Sequence, residues 1–389
     1  MPVLNRIAEF HDEITAWRRD FHTHPEILFD VERTAGKVAE LLAEFGVDEI
    51  VTGLGRTGVV GIINGRSNGS GKTIGLRADM DALPVTEKTG KDYASSVAGR
   101  MHACGHDGHT AMLLGAAKYL AETRNFDGRV AVIFQPAEEG GGGGKEMVRD
   151  GLMERFGISE VYGMHNWPGM PIGHFGIRVG GIMAATDRFY IDITGVGGHA
   201  ARPQQTIDPI MVAAHLVTAL QTIVSRNVDP LKSAVVSVTM VEAGEADNVI
   251  SRTAKITGTV RTLNSEVQDF IEARLGEMVP QFAASFGASA SIRYARGYPV
   301  TVNEPERTAF AAEVAAEVAG PDRVDADVPP SMGGEDFSFM LEERPGAYIF
   351  LGNGDSSELH TDTYDFNDAV IPVGASYWVR LAERAMPVG

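Results

Sequence analysis

The residues able to do chemistry fall close together: His102-Ala-Cys104-Gly-His106-Asp107-Gly-His109, then Gln135-Pro-Ala-Glu138-Glu139-Gly140. A thiol, imidazoles and paired carboxylates are the donors that hold a divalent transition metal and leave one carboxylate to move protons. The chain's one cysteine lies inside this cluster. The chemistry implied is metal-dependent hydrolysis. Cys104 and His106 would diverge by about 200° on a helix, whereas two apart in an extended segment they share a face. The pair therefore belongs on a strand end or loop, ahead of a helix that Asp107 could cap and whose positive end favours a thiolate. On extended backbone Glu138 and Glu139 would point to opposite sides, one toward a metal and one toward substrate. Two carboxylates this close in a dry pocket stay ionised only if cations neutralise them.

The elements around these residues alternate. Residues 3–20 and 31–45 read as amphipathic helices, the second carrying Val31, Ala35, Val38, Leu41, Leu42 and Phe45 and stopping at Gly46. Strand-length apolar runs follow at Val59–Ile63, Thr73–Arg77, Val130–Phe134 and Val161–Met164, with a helical stretch at Asp107–Glu122. The last run delivers His165 at its end, so three strand ends carry ligand-type residues, where an open α/β sheet builds its site. The pattern changes near residue 186. Strands with Phe189, Ile191 and Ile193, Ala234–Met240, Ala254–Arg261 and Ala288–Tyr294 alternate with helices at Asp208–Asn227 and Val267–Phe286. The first style resumes with helix Glu306–Val318, strand Ala347–Leu351 and helix Ala369–Ala385. The expected fold is α/β: a mostly parallel-sheet catalytic domain (1–185 and 298–389) with an inserted α+β two-layer, ferredoxin-like satellite (186–297).

Composition narrows the function classes. The 389 residues, 44% of them hydrophobic, suffice for two cores. Thirty-four basic against 52 acidic residues give a net charge of −18, which disfavours nucleic acid as a partner. One cysteine excludes an internal disulfide framework. No apolar run approaches the length that spans a membrane, and the N-terminus lacks the apolar core of a signal peptide, so the expected location is cytoplasmic. Three near-motifs mislead: Gly53-Leu-Gly55-Arg-Thr-Gly58, Gly71-Lys72-Thr73 and Gly65-Arg-Ser67-Asn-Gly69 each lead into a strand. Dinucleotide, P-loop and nucleophile-elbow sites need a helix there, so these read as glycine-rich turns around a hairpin.

The segments Gly75-Leu-Arg-Ala-Asp79-Met-Asp81-Ala-Leu-Pro84, MHACGHDGH, FQPAEEG and GVGGHAARP resemble the dinuclear-metal aminoacylase/carboxypeptidase family. The nearest branch holds hippurate hydrolases, N-acyl-amino-acid amidohydrolases and plant auxin-conjugate hydrolases, and the match runs from about residue 15 to about 385. The resemblance implies metal ligands at Cys104, His106, Glu139, His165 and His360, the last of which spacing alone does not reveal. It implies a general base at Glu138, orienting acids at Asp79 and Asp81, and His199 reaching the scissile carbonyl, in related dimers from the partner subunit. Asn248 and Arg261 match positions that bind the substrate's polar end, and Gly333–Phe337 matches a loop bordering the site.

The implied cofactors are two divalent ions, zinc first, with manganese, cobalt or nickel as alternatives. The implied substrate is a small N-acyl amino acid, and the implied assembly a homodimer or higher homo-oligomer. Dipeptides or N-carbamoyl compounds are the alternative substrates. Ser251 stands where the family often has proline, and the Gly140–Gly144 run is longer than expected. His22 and His24 read as structural, His102 and His109 as flanking the ligand pair, and Trp167 as a core wall or an acyl-pocket wall.

Overall fold

The computed structural model describes residues 3–389. The chain divides into two compact units, one comprising residues 3–180, Val302–Pro329 and Asp336–Gly389, the other Gly181–Thr301 with Pro330–Glu335. The short Pro330–Glu335 segment lies inside the stretch that sequence assigns to the first unit. It goes with the second because Ser331 N donates to Ile182 O and Ala184 N to Gly333 O, both at 2.9 Å.

In the first unit the single helix expected over residues 3–20 is two, α1 (Asn5–Glu9) and α2 (His11–Thr23), joined at the buried Phe10. Helix α3 (Glu32–Glu44) buries Val38, Leu41 and Leu42. Strands β1 (Glu49–Leu54) and β2 (Gly58–Asn64) form an antiparallel hairpin, and β1 carried no apolar signal because only Leu54 of it is buried. Strands β3 (Thr73–Asp79), β4 (Arg129–Gln135) and β5 (Glu160–Pro168) run parallel in the order β4-β3-β5, with Gly346–Gly354 parallel beside β5. Strand β2 lies antiparallel on the far side of β4, and short strands Phe175–Gly176 and Val324–Asp325 complete an eight-stranded mixed sheet. Both faces of the centre are covered, so β3 is buried throughout and reads as a continuous apolar run. The Gly53–Gly58 motif is the β1–β2 turn. The other two glycine motifs are not hairpin turns: they belong to the connection from β2 to β3, which are separated by β4. Helix α4 (His106–Thr123) is buried along almost its whole length and leads directly out of the Cys104 loop.

The second unit is a four-stranded antiparallel sheet in the order Ala234–Ala243, Thr253–Thr262, Ala185–Thr194, Ser289–Arg296. Helices Pro209–Thr222 and Ser265–Ser285 pack Leu216, Leu220, Ile271 and Leu275 against Phe189, Ile191, Ile193 and Ile256. Asp208 and Asn264 cap them by accepting from Ile210 N and Val267 N. The β-α-β-β-α-β order with this strand arrangement is ferredoxin-like. Among the described residues no helix is long and apolar enough to cross a membrane.

Candidate metal centre

Strands β3, β4 and β5 run parallel, so their C-terminal ends deliver Asp79, the turn after Gln135, and His165 to one edge of the sheet. The loop before α4 brings Cys104. Its shape depends on Gly105, which has φ +89 and would place a Cβ 2.3 Å from Asn166 Oδ1 and 2.6 Å from the Tyr364 hydroxyl. Only glycine fits there. Helix α4 opens at His106 with Gly105 as its cap. Asp107 does not cap it; its carboxylate instead meets His22 Nδ1 at 2.8 Å and Arg18 Nη1 at 3.4 Å, all buried.

Two of the imidazoles, His106 and His165, are set by backbone carbonyls. His106 Nδ1 lies 2.8 Å from Asp81 O, and His165 Nδ1 lies 2.7 Å from Asn166 O. A carbonyl only accepts, so both Nδ1 atoms carry a proton, and in the neutral rings both Nε2 atoms present a lone pair. His165 Nε2 lies 3.4 Å from Cys104 Sγ, and His106 Nε2, buried, makes no hydrogen bond.

The two glutamates do not lie on extended backbone. They occupy a turn entered through Ala137 at φ +54, and Asp81 fixes it by accepting from Glu138 N at 2.9 Å and Glu139 N at 3.1 Å. Glu139 Oε1 faces His360 Nε2 at 3.3 Å and His106 Nε2 at 3.9 Å without an aligned hydrogen bond. His360, itself at φ +65, is tied to the cysteine loop through its N–H to Ala103 O, 2.8 Å. Ligand-type atoms of Cys104, His106 and His165, of Cys104, Glu139 and His360, and of His106, Glu138 and Glu139 each lie within 4.8 Å of one another. The three groups share members and form one continuous cluster.

The cluster is strongly polarised. Burial, with Glu139, Glu138 and Asp79 nearby, pushes the Cys104 thiol well up, which overrides the helix-end effect expected from sequence. Burial opposes charge on His106, yet Asp79, Asp81 and Glu139 raise it to about 10. Against burial, His106, Arg77 and His109 hold Asp79 well below the usual carboxylate range, and His360 and His106 hold Glu139 down. A proton on His106 answers the same negative field that a divalent cation would. Converging donor atoms, buried except at the exposed His360 and the partly buried Glu139, with His106 Nε2 unpartnered, therefore fit a metal.

Sequence reasoning missed the layer beneath. Arg77, fully buried, donates to Asp79 (2.8 Å), Gln135 (2.9 Å) and Asp336 (3.0 Å). Asp336 also accepts from Gln135 Nε2 at 2.6 Å and Gly144 N at 2.8 Å. His109, read from sequence only as a flanking residue, meets Asp79 Oδ1 at 2.6 Å and Asn166 Oδ1 at 2.7 Å. A buried arginine between two acids on adjoining segments has no spacing signature.

His199, Asn248 and Arg261 belong to the second unit. The exposed His199 accepts the Ala201 N–H at Nδ1 (3.1 Å), so its Nε2 carries the proton in the neutral ring. Asn248 is exposed, and its carbonyl accepts from Ala200 N at 3.0 Å. Arg261 is half-buried, which lowers its pKa, and it donates to Thr259 and to Val260 O. Among the described residues no carboxylate forms an ion pair with it.

Fold and donor set together define a metal-dependent hydrolase. The chain belongs to peptidase family M20/M25/M40, which it matches over residues 75–384, and it is an amidohydrolase. It is 43% identical over 382 residues to the hippurate hydrolase of Campylobacter jejuni, covering 98% of this chain and 99% of that one. It is 38% identical over 374 residues to the N-acetylcysteine deacetylase of Bacillus subtilis, covering 96% and 97%. The crystal structure of the Bacillus subtilis YXEP protein, described as a dinuclear metal-binding peptidase of family M20, superposes with a TM-score of 0.86 at 35% identity, covering 97% of this chain and 99% of that one.

Proposed function

We propose that this enzyme hydrolyses the amide bond of N-acyl amino acids with two divalent ions held by Cys104, His106, Glu139, His165 and His360. The observation that carries the reading is the Asp81-anchored turn, which sets two consecutive carboxylates beside a thiol and three imidazoles. The names of the relatives support it. Bound there, such ions would supply Lewis acidity and would bring the pKa of a water toward neutrality. Glu138 takes that water's proton and returns it to the departing nitrogen. Asp79 holds His109 and faces His106, while Asp81 fixes the glutamate turn and the tautomer of His106. His199, with its proton on Nε2, donates to the carbonyl oxygen as negative charge grows there. Asn248 and Arg261 hold the α-carboxylate, to which a guanidinium with no competing ion pair can bind bidentately.

Zinc suits a thiolate with imidazoles, and a reducing cytoplasm keeps that thiol available. The inserted unit is the proposed dimer contact. Its edge strand exposes Met240 (52%) and Val241 (53%), and the adjoining helix exposes Ile210 (43%) and Met211 (50%). The test is a panel of N-benzoylglycine, N-acetyl amino acids, dipeptides and N-carbamoyl amino acids, run with zinc, manganese, cobalt and nickel in turn. Turnover of the N-acyl amino acids above the other classes is expected. Faster cleavage of dipeptides or N-carbamoyl compounds overturns the substrate assignment.

A further inference from the structure

We infer that Trp167 is the platform on which the substrate's acyl group lies, and that it selects flat aromatic acyl groups over small aliphatic ones. The inference rests on the N-acyl amino acid reading above. Strand β5 lies at the centre of the sheet, and of its nine residues only Trp167 is not buried. A large aromatic left partly open at the C-terminal end of a central strand stands where α/β sheets take their ligands. Trp167 is two residues beyond His165, hence on the same face, and the two ring centroids are 6.3 Å apart. The platform thus adjoins a proposed metal ligand without being one.

The ring is held from behind. Phe350, register partner of His165 on the neighbouring strand, stacks on the indole at 4.0 Å and 25°. Phe350 is in turn edge-on to Tyr348, and Tyr348 lies against Phe337 with centroids 5.5 Å apart. Gly163 lets this ladder pack, since a Cβ there would lie 2.5 Å from the Tyr348 ring. The residue paired with Trp167 is Gly352, whose missing side chain leaves room for the Met170 and Pro171 carbonyls beside it. A core wall would be covered. Here one face is fixed by buried aromatics and the residue stays partly exposed. An aryl ring joined directly to the scissile carbonyl can stack there while its carbonyl lies near the His165 end, whereas an acetyl group has no face to stack.

The test compares metal-loaded wild type, Trp167→Ala and Trp167→Phe on N-benzoylglycine and N-acetylglycine, and follows benzoate binding by indole fluorescence. In Trp167→Ala the ratio of kcat/KM for the benzoyl over the acetyl substrate is expected to fall by about tenfold, chiefly through KM, and in Trp167→Phe by less than about threefold. Benzoate is expected to quench an emission component that Trp167→Phe lacks. A ratio unchanged in Trp167→Ala, a loss falling equally on both substrates, or no quenching of that component overturns the inference. If wild type cleaves neither substrate, the amide reading fails instead, and benzoate quenching alone then decides whether the platform stands.

Discussion

The carboxylate of Asp81 accepts the main-chain N–H of Glu138 at 2.9 Å, and its other oxygen accepts that of Glu139 at 3.1 Å. One buried acid thus sets both glutamates, and its own carbonyl sets His106 at 2.8 Å. Side-chain changes at Glu138 leave this main-chain anchor intact, which makes that residue testable by itself.

Glu138→Gln is expected to bind metal at wild-type stoichiometry and to lose about 10²–10⁴-fold in kcat, the usual size of a general-base contribution. Metal content by mass spectrometry together with steady-state kinetics reads both quantities. Near-full activity contradicts the base assignment, and lost metal makes Glu138 a ligand.

Gly105→Ala meets a positive φ and two close contacts at once, with Asn166 and Tyr364. A loss of about 2–4 kcal/mol in unfolding free energy is expected, with weakened metal retention because Cys104 and His106 flank the site. Denaturant melts and metal titrations measure these, and an alanine variant of wild-type stability and affinity contradicts the argument.

His22 lies between Asp107 and Glu87, and these partners outweigh burial to raise its pKa to about 9. The folded value exceeds the ordinary one of about 6.5, so the contribution is complete below about pH 6.5 and is lost as pH rises through about 9. The shift corresponds to roughly 3 kcal/mol. The stability gap between metal-loaded wild type and His22→Gln is therefore expected to be widest near pH 6.5 and to close toward pH 10. Melts across that range measure it, and a gap independent of pH contradicts a charged His22.

Chelation is expected to abolish turnover and lower Tm together, since an ion bound to the folded state at a hundredfold excess over Kd stabilises it by about 2.7 kcal/mol. Adding back zinc, manganese, cobalt or nickel singly should restore both and rank the metals. Unaltered turnover after complete metal removal contradicts the proposed chemistry.

What could be read from sequence was what repeats locally. The buried strands β3, β4 and β5 were legible because burial on both faces makes their apolar runs continuous, and the Cys104–His106 pair because ligand-type residues crowd one short segment. Strand β1 was not legible, having only Leu54 buried. The glutamate turn was misread as extended because the left-handed Ala137 has no sequence mark. Asp336 meets Arg77 across 259 positions, and His360 meets Glu139 only through folding, so neither leaves a spacing. His360 came from family resemblance alone.

Because His360 faces Glu139 and donates its N–H to Ala103, while Asp336 braces Arg77, the proposed site is complete only when the chain beyond Asp336 is in place. A nascent chain still attached at its ribosome before residue 360 emerges holds four of the five proposed donors and lacks His360. Such a chain, or a fragment cut before Asp336, would carry cysteine, histidine and acids in an unbraced loop.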